Sequence, residues 1–308
     1  MKNVLIIGIT TMDQVALVPR LPQSDEEMEV LEQFERISGD GYNFANTFSC
    51  FHMPFTLISP LGTGVYADKV VQNAKHLSFT PLTGEVNGCT YTMIDPYGQA
   101  RKMEVPGGEY DFELYPFEEI NVDDYSYLIV SYSTLLTTMS ALYPILLEFD
   151  GRIALQIDTP DFFYDEELLQ EILALHPILQ IRPQALFSKE EMEQIDERLL
   201  TLTKQTKQPI LKVLEDGRCQ AITEEETLSY GEVVLHRKDI SGYEEVHFAS
   251  YILAKNAGMK EENALLFAQD IAKEVLLTYD TSLDLKESAR YQDLLAKAIM
   301  DLPKGVVS

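Results

Sequence analysis

The sequence predicts an α/β protein: a three-layer sandwich with a central, mostly parallel sheet and a small antiparallel β lid. The first strand, "NVLIIGI" (3–9), is a continuous aliphatic run, as is typical of a parallel strand buried on both faces. Strand-like and helix-like segments then alternate through most of the 308 residues. Two regions rich in turn residues, about 14–37 and 85–105, interrupt the alternation with short extended pieces. We therefore expect a single domain, 1–308, into which these two regions insert as the lid.

The other elements follow from hydrophobic periodicity. Phe44, Phe48 and Phe51 have helical spacing, which predicts a helix over 42–51. Asp216-Gly217 is a hairpin turn signal between two short strands. The predicted strands after the first cover residues 55–61, 125–133, 151–158, 184–188 and the hairpin 209–222. The further predicted helices cover residues 66–77, 166–176, 189–200, 245–256, 260–278 and 286–300.

The composition of the chain limits the classes of molecule that it is expected to bind. The formal net charge is −26 and the pI is near 4.4, which disfavours nucleic acid and anionic membranes as ligands. No apolar run approaches the roughly 18 residues of a membrane span, and the short run at the N-terminus lacks the length and cleavage pattern of a signal peptide. Cys50, Cys89 and Cys219 are scattered, which fits a reducing compartment. We expect a cytoplasmic protein with a small-molecule partner.

Two motifs near the N-terminus indicate a site for a hydroxylated ligand. Asp13 comes just after the first strand, and open α/β sheets bind ligands beyond the carboxyl ends of their strands. The alternative for Asp13 is a residue that caps a turn. In "SGDGYNFAN" (38–46), Gly39 and Gly41 allow close approach of the backbone, and Asn43 supplies a donor and an acceptor. The alternative for this segment is a glycine turn that opens a helix.

Three weaker motifs leave alternatives open. "LGTGVYAD" (61–68) fits G-x-G-x-x-A, but it follows the second strand rather than the first, which favours a tight turn over a dinucleotide site. Ser188 and Glu191 have the spacing of a helix capping box. Asp158 and Asp161, at and just beyond the end of a strand, would hold a cation or cap the next helix, and capping is favoured.

Together these segments resemble the ribokinase-like sugar kinases, the phosphofructokinase-B family. "VLIIGITTMDQVALVPRLP" resembles the opening strand, sugar-binding Asp and first lid strand of that family. "SGDGYNFANTFSCF" resembles its G-G-x-x-x-N-x-A loop, with Ser38 at the first glycine, and "FTLISPLGTGVYADKV" its next strand and turn. The order of elements and the length agree across essentially the whole chain. The resemblance implies transfer of a phosphoryl group from ATP, with Mg²⁺, to a sugar or related hydroxyl compound, and a homodimer formed through the lid.

The resemblance also implies the substrate residues. By position, Asp13, Gly39, Gly41 and Asn43 would contact sugar hydroxyls, and Asp40 belongs to the same loop. Ribokinases usually have Lys where this chain has Asp40, so ribose specificity does not carry over. The sequence names no substrate.

The nucleotide half of the family pattern is less complete. The V-T-x-G-x-x-G strand falls on "LKVLEDG" (211–217), where Lys212 replaces Thr and Gly217 is retained as a phosphate-side residue. The N-x-x-E motif, which supports magnesium in the family, falls on Ser188 to Glu191, so only an indirect magnesium role for Glu191 is implied.

The catalytic signature of the family, D-T-x-G-A-G-D, is only partly present. Asp239 and Gly242 match it, but the position of the catalytic Asp is taken by Glu245 or, in a second alignment, by Val246. Glu245 is the candidate base. A carboxylate about 4 Å from a phosphate costs about 1 kcal/mol in water and about 4 kcal/mol at an effective dielectric of about 20. Glu244 and Glu245 would then repel a phosphate, and the alternative is that both cap their own helix.

Three hypotheses follow from these motifs. The first is a carbohydrate kinase whose activity is weak or lost. The second is a non-catalytic protein of the same fold that binds a sugar or another small molecule, a pseudokinase. The third, a nicotinamide-dependent dehydrogenase, rests on "GTGVYA" alone.

Overall fold

The computed structural model describes residues 3–23, 25–113, 115, 117–214 and 216–300. Its strands are β1 (Asn3–Ile7), β2 (Thr11–Leu17), β3 (Glu32–Ser38), β4 (Phe55–Ile58), β5 (Pro60–Thr63), β6 (Thr80–Val86), β7 (Cys89–Ile94), β8 (Ala100–Val105), β9 (Tyr125–Ser131), β10 (Arg152–Ile157), β11 (Ile178–Ile181), β12 (Ile210–Val213), β13 (Cys219–Ile222) and β14 (Thr227–Tyr230). Its α-helices are α1 (Asp40–Cys50), α2 (Gly64–Asn73), α3 (Tyr132–Glu148), α4 (Glu166–Leu173), α5 (Pro183–Leu186), α6 (Lys189–Thr206), α7 (Tyr243–Asn256), α8 (Glu261–Ala272) and α9 (Ser288–Met300).

The main sheet contains eight of these strands, in the order β14-β13-β12-β11-β10-β9-β1-β4. All pairs from β12 to β4 are parallel, and β13 and β14 add an antiparallel edge. The strand β1 lies inside the sheet, between β9 and β4. The parallel centre puts the carboxyl ends of β1, β9 and β10 at one edge, where the candidate site lies.

Helices cover both faces of this sheet. Along β1, Val4 and Ile6 belong to one hydrophobic cluster, whereas Leu5 and Ile7 belong to the other. All four side chains are fully buried, which explains why this strand is a continuous aliphatic run. One cluster lies under α1, α7 and α8, and the other under α3, α4 and α6. The three-layer α/β fold predicted from the sequence is therefore confirmed.

A second sheet forms the lid, in the strand order β3-β2-β7-β8. The pairs β2–β3 and β7–β8 are antiparallel, as predicted, and each is one of the two inserted regions. The central pair β2–β7 is parallel, so the two insertions join side by side in the same direction. The lid thus couples two segments of the chain that are far apart in sequence.

Some segments differ from the predicted elements, and the edge strand β14 is one that was not predicted. The helix α3 was not predicted, although Ser131 caps it by accepting a hydrogen bond from the N–H of Thr134 at 3.3 Å. The predicted strand 184–188 is wrong: the strand β11 precedes it, and α5 begins there. Pro183 stands at the first position of α5, where its fixed φ favours a helix and its missing N–H costs nothing.

The glycine-rich "GTG" segment forms a strand-to-helix turn. The N–H of Gly62 donates to Oδ1 of Asn87 at 2.6 Å, and Gly64 begins α2 with a φ of +91°. In the part of the chain that the structure describes, no helix is both long and apolar enough to cross a membrane.

Candidate active site

Two adjoining cavities lie between the lid and the carboxyl edge of the main sheet. The first, here called the acidic cavity, has a volume of about 230 Å³, and its wall contains Asp40, Glu104, Asp158 and Glu245. The second, here called the cationic cavity, has a volume of about 420 Å³, and its wall contains Arg101, Lys102, Arg182 and Arg237. Glu245 and Lys102 line both cavities.

Asp40 forms the floor of the acidic cavity. Its Oδ1 accepts hydrogen bonds from the N–H groups of Ile9 and Gly41, both at 2.7 Å. Its Oδ2 accepts from the hydroxyls of Ser131 at 2.5 Å and Thr134 at 3.0 Å. Burial raises the pKa of Asp40, and these four donors oppose the rise. The carboxylate therefore ties α1 to the ends of β1 and β9 and fixes the shape of the floor.

The predicted substrate loop lies at the acidic cavity. Gly39, Asp40 and Asn43 line it, and Oδ1 of Asn43 accepts a hydrogen bond from the hydroxyl of Thr281 at 2.9 Å. Gly41 is not a lining residue. A Cβ there would lie 2.5 Å from the carbonyl carbon of Gly8, so this glycine is required by the close approach of α1 to the end of β1.

Asp158 follows β10 and faces the same cavity. Its Oδ1 accepts the N–H of Ser133 at 3.0 Å, and its Oδ2 accepts the hydroxyl of Ser133. Burial raises the pKa of Asp158 to about 6, and the nearby charge of Asp40 contributes. Asp158 accepts hydrogen bonds from the first turn of α3, a helix that precedes β10, and the next helix, α4, is capped by Asp165 instead.

Glu245, in the first turn of α7, stands between the two cavities. Its Oε2 is buried and has no hydrogen-bond partner among the described residues. Burial raises the pKa of Glu245 from 4.5 to about 7; the charge of Glu244 adds to the rise, and that of Lys102 opposes it. Val246, the alternative catalytic position, is fully buried in the core. Of these two residues, Glu245 is the one that lines the cavities.

The cationic cavity lies at the N-terminus of α7. Gly242 precedes this helix with a φ of +80°, and a Cβ there would lie 1.7 Å from the carbonyl oxygen of Thr281. The N-cap residue, Gly242, has no side chain that could accept a hydrogen bond from the first N–H groups of α7. Nε of Arg182 and Nη1 of Arg237 are buried without partners among the described residues. Unpartnered guanidinium donors beside such a helix N-terminus are suited to an anion such as phosphate.

Glu244 reaches into the same cavity. Its Oε1 lies 3.3 Å from Nη2 of Arg182, and both side chains are partly buried. The sequence offers Glu244 as a residue that caps α7. In this contact its carboxylate instead forms an ion pair with Arg182, which directly follows β11.

Asp239 and Asp13 are not lining residues of either cavity. Nε of Arg36 donates to Asp13 at 2.9 Å, and Nη1 donates to Asp239 at 2.5 Å and to the carbonyl oxygen of Tyr279. Asp13 also accepts the hydroxyl of Thr92 at 2.6 Å. The two carboxylates that the resemblance assigns to sugar and phosphate are thus joined through one buried Arg36.

Lys212 and Gly217 also form hydrogen bonds that connect elements of the fold. Nζ of Lys212 donates to Oδ1 of Asp196 on α6 at 2.5 Å. The carbonyl oxygen of Gly217 accepts the hydroxyl of Tyr243 at 2.8 Å and the side-chain amide of Gln269. The structure does not bring either residue to the two cavities.

Glu191 forms the capping box with Ser188 at the start of α6, and its Oε2 accepts the N–H of Ser188 at 2.8 Å. Over the residues described, no group of three or more His, Cys, Asp or Glu side chains is placed to hold a metal ion. Mg²⁺ in phosphoryl-transfer sites is usually held by one or two carboxylates and the substrate phosphates. The carboxylate of Glu191 is occupied by the helix end, and it does not fit that role here.

Several residues of the site were missed from the sequence. The cationic cavity depends on Arg101 and Lys102 in the lid, Arg182 after β11, and Arg237 before α7. The signal was weak: "QARK" lies in a lid hairpin, and "RP" directly follows a buried strand. Only the fold brings these four cations, from three separate segments, to one cavity.

The whole fold is similar to solved kinase structures. Ribokinase from Thermotoga maritima matches with a TM-score of 0.72 and 16% identity, over 98% of this chain and 100% of that chain. Adenosine kinase from Sinorhizobium meliloti matches with a TM-score of 0.75 and 14% identity, over 94% and 98%. A nucleoside kinase from Burkholderia thailandensis, solved in complex with inosine, matches with a TM-score of 0.73 and 12% identity, over 98% and 100%.

These similarities establish the fold that the sequence motifs predict. No protein-family model matches the chain, and no curated protein matches it. The chain has the ribokinase-like carbohydrate kinase fold.

Proposed function

We propose that this protein transfers the γ-phosphoryl group of ATP to a hydroxyl group of a small polyhydroxylated acceptor, a sugar or nucleoside. The observation that carries the proposal is the position of Glu245, which lines both the acidic cavity and the cationic cavity. A base for this reaction has to contact the acceptor hydroxyl on one side and face the phosphate on the other. Structures of the same fold have been solved with ribose and ATP and with ADP, which supports nucleotide use.

In the proposed reaction the acceptor lies in the acidic cavity, against Gly39, Asn43 and Asp158. Glu245 takes the proton of the acceptor hydroxyl as its oxygen forms a bond to the γ-phosphorus. The bond between that phosphorus and the bridging oxygen of ADP breaks, and ADP leaves. The donors of Arg182 and Arg237 and the N-terminus of α7 hold the phosphate chain and offset its negative charge. We assign no step to a metal ion.

The pKa of Glu245 suits a base near neutral pH. A carboxylate with its pKa raised to about 7 is a stronger proton acceptor than an ordinary one, yet it is mostly ionised at pH 8. The active form is the ionised one, so kcat/KM should rise with pH and level off above about pH 7. Gly39 and Asn43 stay proposed contacts of the phosphoryl acceptor, and Asp40 is proposed to shape the floor of the cavity that holds it. We propose indirect roles, in holding the fold, for Asp13, Asp239, Lys212, Gly217 and Glu191.

One observation favours the second candidate function, a non-catalytic small-molecule-binding protein. Arg182 is already paired with Glu244, whose carboxylate occupies part of the cationic cavity. A phosphate entering there must displace this ion pair or bind beside it. If it cannot, the acidic cavity still binds its ligand, but no phosphoryl transfer follows.

The test is an ADP-release assay at pH 8 over a panel of sugars, polyols and nucleosides, together with calorimetry of ATP–Mg. Glu245→Gln should lower kcat by about 100-fold or more, the usual range for loss of a general base, without loss of ATP affinity. Arg182→Ala should weaken ATP binding by about tenfold, the loss expected for one charge-assisted hydrogen bond. Glu225→Gln, in the exposed turn between β13 and β14, is the matched control and should behave as the unaltered protein.

The outcomes separate the two candidate functions. Turnover that survives in Glu245→Gln would refute the base role. An acceptor that binds while ATP does not, in the absence of any turnover, would establish the non-catalytic alternative. The homodimer through the lid remains a proposal, supported by the exposed side chains of Tyr91, Met103 and Val105 on β7 and β8.

A further inference from the structure

We infer that the acceptor bound in the acidic cavity is a polyhydroxylated compound that carries an ammonium group. This inference rests on the proposed function, because it concerns the acceptor of the same reaction. It starts from an imbalance of charge between the two cavities. The wall of the acidic cavity contains four carboxylates, those of Asp40, Glu104, Asp158 and Glu245, and among the described lining residues Lys102 supplies the cation. The cationic cavity has the opposite imbalance, with four basic side chains against two carboxylates.

The carboxylates of the acidic cavity differ in what they can still bind. Asp40 already accepts four hydrogen bonds, so its lone pairs are occupied. Asp158 accepts two hydrogen bonds from Ser133 and one from its own N–H, so part of its acceptor capacity is still free. Oε2 of Glu245 is buried and has no described partner. Oε2 of Glu104 accepts the hydroxyl of Tyr110 at 3.3 Å, which also leaves acceptor capacity. Three carboxylates with free acceptor capacity, those of Glu104, Asp158 and Glu245, therefore line one cavity of about 230 Å³.

A buried acceptor without a donor is costly, and a second carboxylate nearby adds repulsion. A ligand ammonium group would supply both a donor and a positive charge to a carboxylate of this wall. A neutral hydroxyl group would supply a donor only. A ligand carboxylate or phosphate would add to the repulsion. The wall of the cavity thus favours the ammonium compound over the neutral one, and the neutral one over the acid.

Hydroxyl groups of the ligand have their own partners in this cavity. The side-chain hydroxyls of Thr11, Ser38 and Thr90 line it, together with Gly39 and Asn43. A small compound with several hydroxyl groups and one ammonium group satisfies both parts of the wall. One of its hydroxyl groups is the one that Glu245 would deprotonate.

The experiment compares matched ligands by calorimetry at pH 8, without nucleotide. The cyclic pair is 1,4-dideoxy-1,4-imino-D-ribitol against 1,4-anhydro-D-ribitol. The open-chain sets are 1-amino-1-deoxy-D-ribitol, ribitol and D-ribonate, and 1-amino-1-deoxy-D-sorbitol, sorbitol and D-gluconate. At least one ammonium compound should bind about tenfold or more tightly than its neutral partner, as expected when a hydrogen bond to a charged group replaces a neutral one. The acids should bind more weakly than the neutral compounds.

Variants locate the preference in the cavity. Asp158→Asn keeps the shape and an acceptor for Ser133, and it should reduce the preference for the ammonium compound by about tenfold. Asp123→Asn, at an exposed acid outside the cavity, is the matched control and should leave the preference unchanged. The ligand comparison on the Asp123→Asn control is repeated at higher salt. This separates the binding of a charged group in the cavity from its general attraction to a chain of net charge −26.

The results distinguish this inference from the proposed function. Equal affinity within the pairs, preference for the neutral or acidic members, or no binding of any ammonium compound would overturn the inference. Phosphorylation of a neutral acceptor in the same experiments would leave the kinase proposal standing while the inference fails. Tight binding of an ammonium compound with no ADP release would support the inference and reject the kinase proposal.

Discussion

Glu245→Gln should make the protein more stable, and the gain should depend on pH. Burial raises the pKa of Glu245 to about 7 in the folded protein, whereas an exposed glutamate in the unfolded chain has a pKa near 4.5. Below about pH 4.5 both states hold the proton, and the carboxylate costs nothing. As pH rises from 4.5 to 7, the unfolded chain ionises first, so the folded state loses stability. Above pH 7 the full penalty is present.

The magnitude follows from the two pKa values. Each pKa unit corresponds to about 1.4 kcal/mol, so the full penalty is about 3 kcal/mol, of which roughly 2 kcal/mol develops between pH 5.5 and pH 8.5. Gln has nearly the same shape and cannot ionise. The free energy of unfolding of Glu245→Gln should therefore exceed that of the unaltered protein at pH 8.5, by about 1–3 kcal/mol, and the excess should shrink at pH 5.5.

Urea unfolding at four pH values between 5.5 and 8.5 measures this difference. Glu225→Gln, an exposed residue, is the control for a general loss of negative charge and should show no such trend. A difference in free energy of unfolding that did not depend on pH, or a variant less stable than the unaltered protein at pH 8.5, would contradict this prediction. Either result would show that Glu245 is not a buried, unpaired carboxylate in the folded state.

Two further predictions concern residues around α7 and α6. Gly242→Ala should lower the free energy of unfolding by about 2–4 kcal/mol in urea, because its Cβ would lie 1.7 Å from the carbonyl oxygen of Thr281 and its φ is +80°; a loss below about 1 kcal/mol would mean that the backbone relaxes freely there. Glu191→Ala should lower the free energy of unfolding by about 0.5–2 kcal/mol through loss of the capping box with Ser188, without changing ATP–Mg affinity in calorimetry; a tenfold loss of that affinity would restore the magnesium role for Glu191.

The sequence predicted the fold well because hydrophobic periodicity is local. The aliphatic run of β1 alternates between two cores, and its pattern alone implied burial on both faces. The hairpin at Asp216-Gly217 and the helices of the C-terminal third followed from the same kind of signal. The prediction failed at α5, where the helix-starting effect of Pro183 outweighed an apolar segment, and it omitted α3 altogether.

The site was predicted only where its residues are close in the chain. Gly39, Asp40 and Asn43 occur in one loop, and the structure places all three at the acidic cavity. The cationic cavity is different, because its basic residues come from the lid, from the end of β11 and from the loop before α7. No local pattern connects them, and the fold alone brings them together.

The resemblance to a family also assigned sugar- and phosphate-binding roles to two carboxylates that line neither cavity. Asp13 and Asp239 stand at the expected places, yet Arg36 occupies both carboxylates. An arginine at position 36, more than 200 residues from Asp239, gives no sequence signal of this contact. The motifs identified which residues correspond to the family positions. The ion pairs with Arg36 determine what those residues contact in this structure.

The buried Arg36 also determines which part of the lid is free to move. Pulling β2 and β3 away from the body would separate Arg36 from Asp239 and leave that carboxylate buried without its cation, at a cost of about 3–5 kcal/mol. These two strands are therefore the anchored edge of the lid sheet, and β8 forms its opposite edge.

The side chains on β8 face both compartments: Glu104 faces the acidic cavity, Arg101 the cationic cavity, and Lys102 faces both. A single tilt of this one strand would change the electrostatic field in the two compartments together.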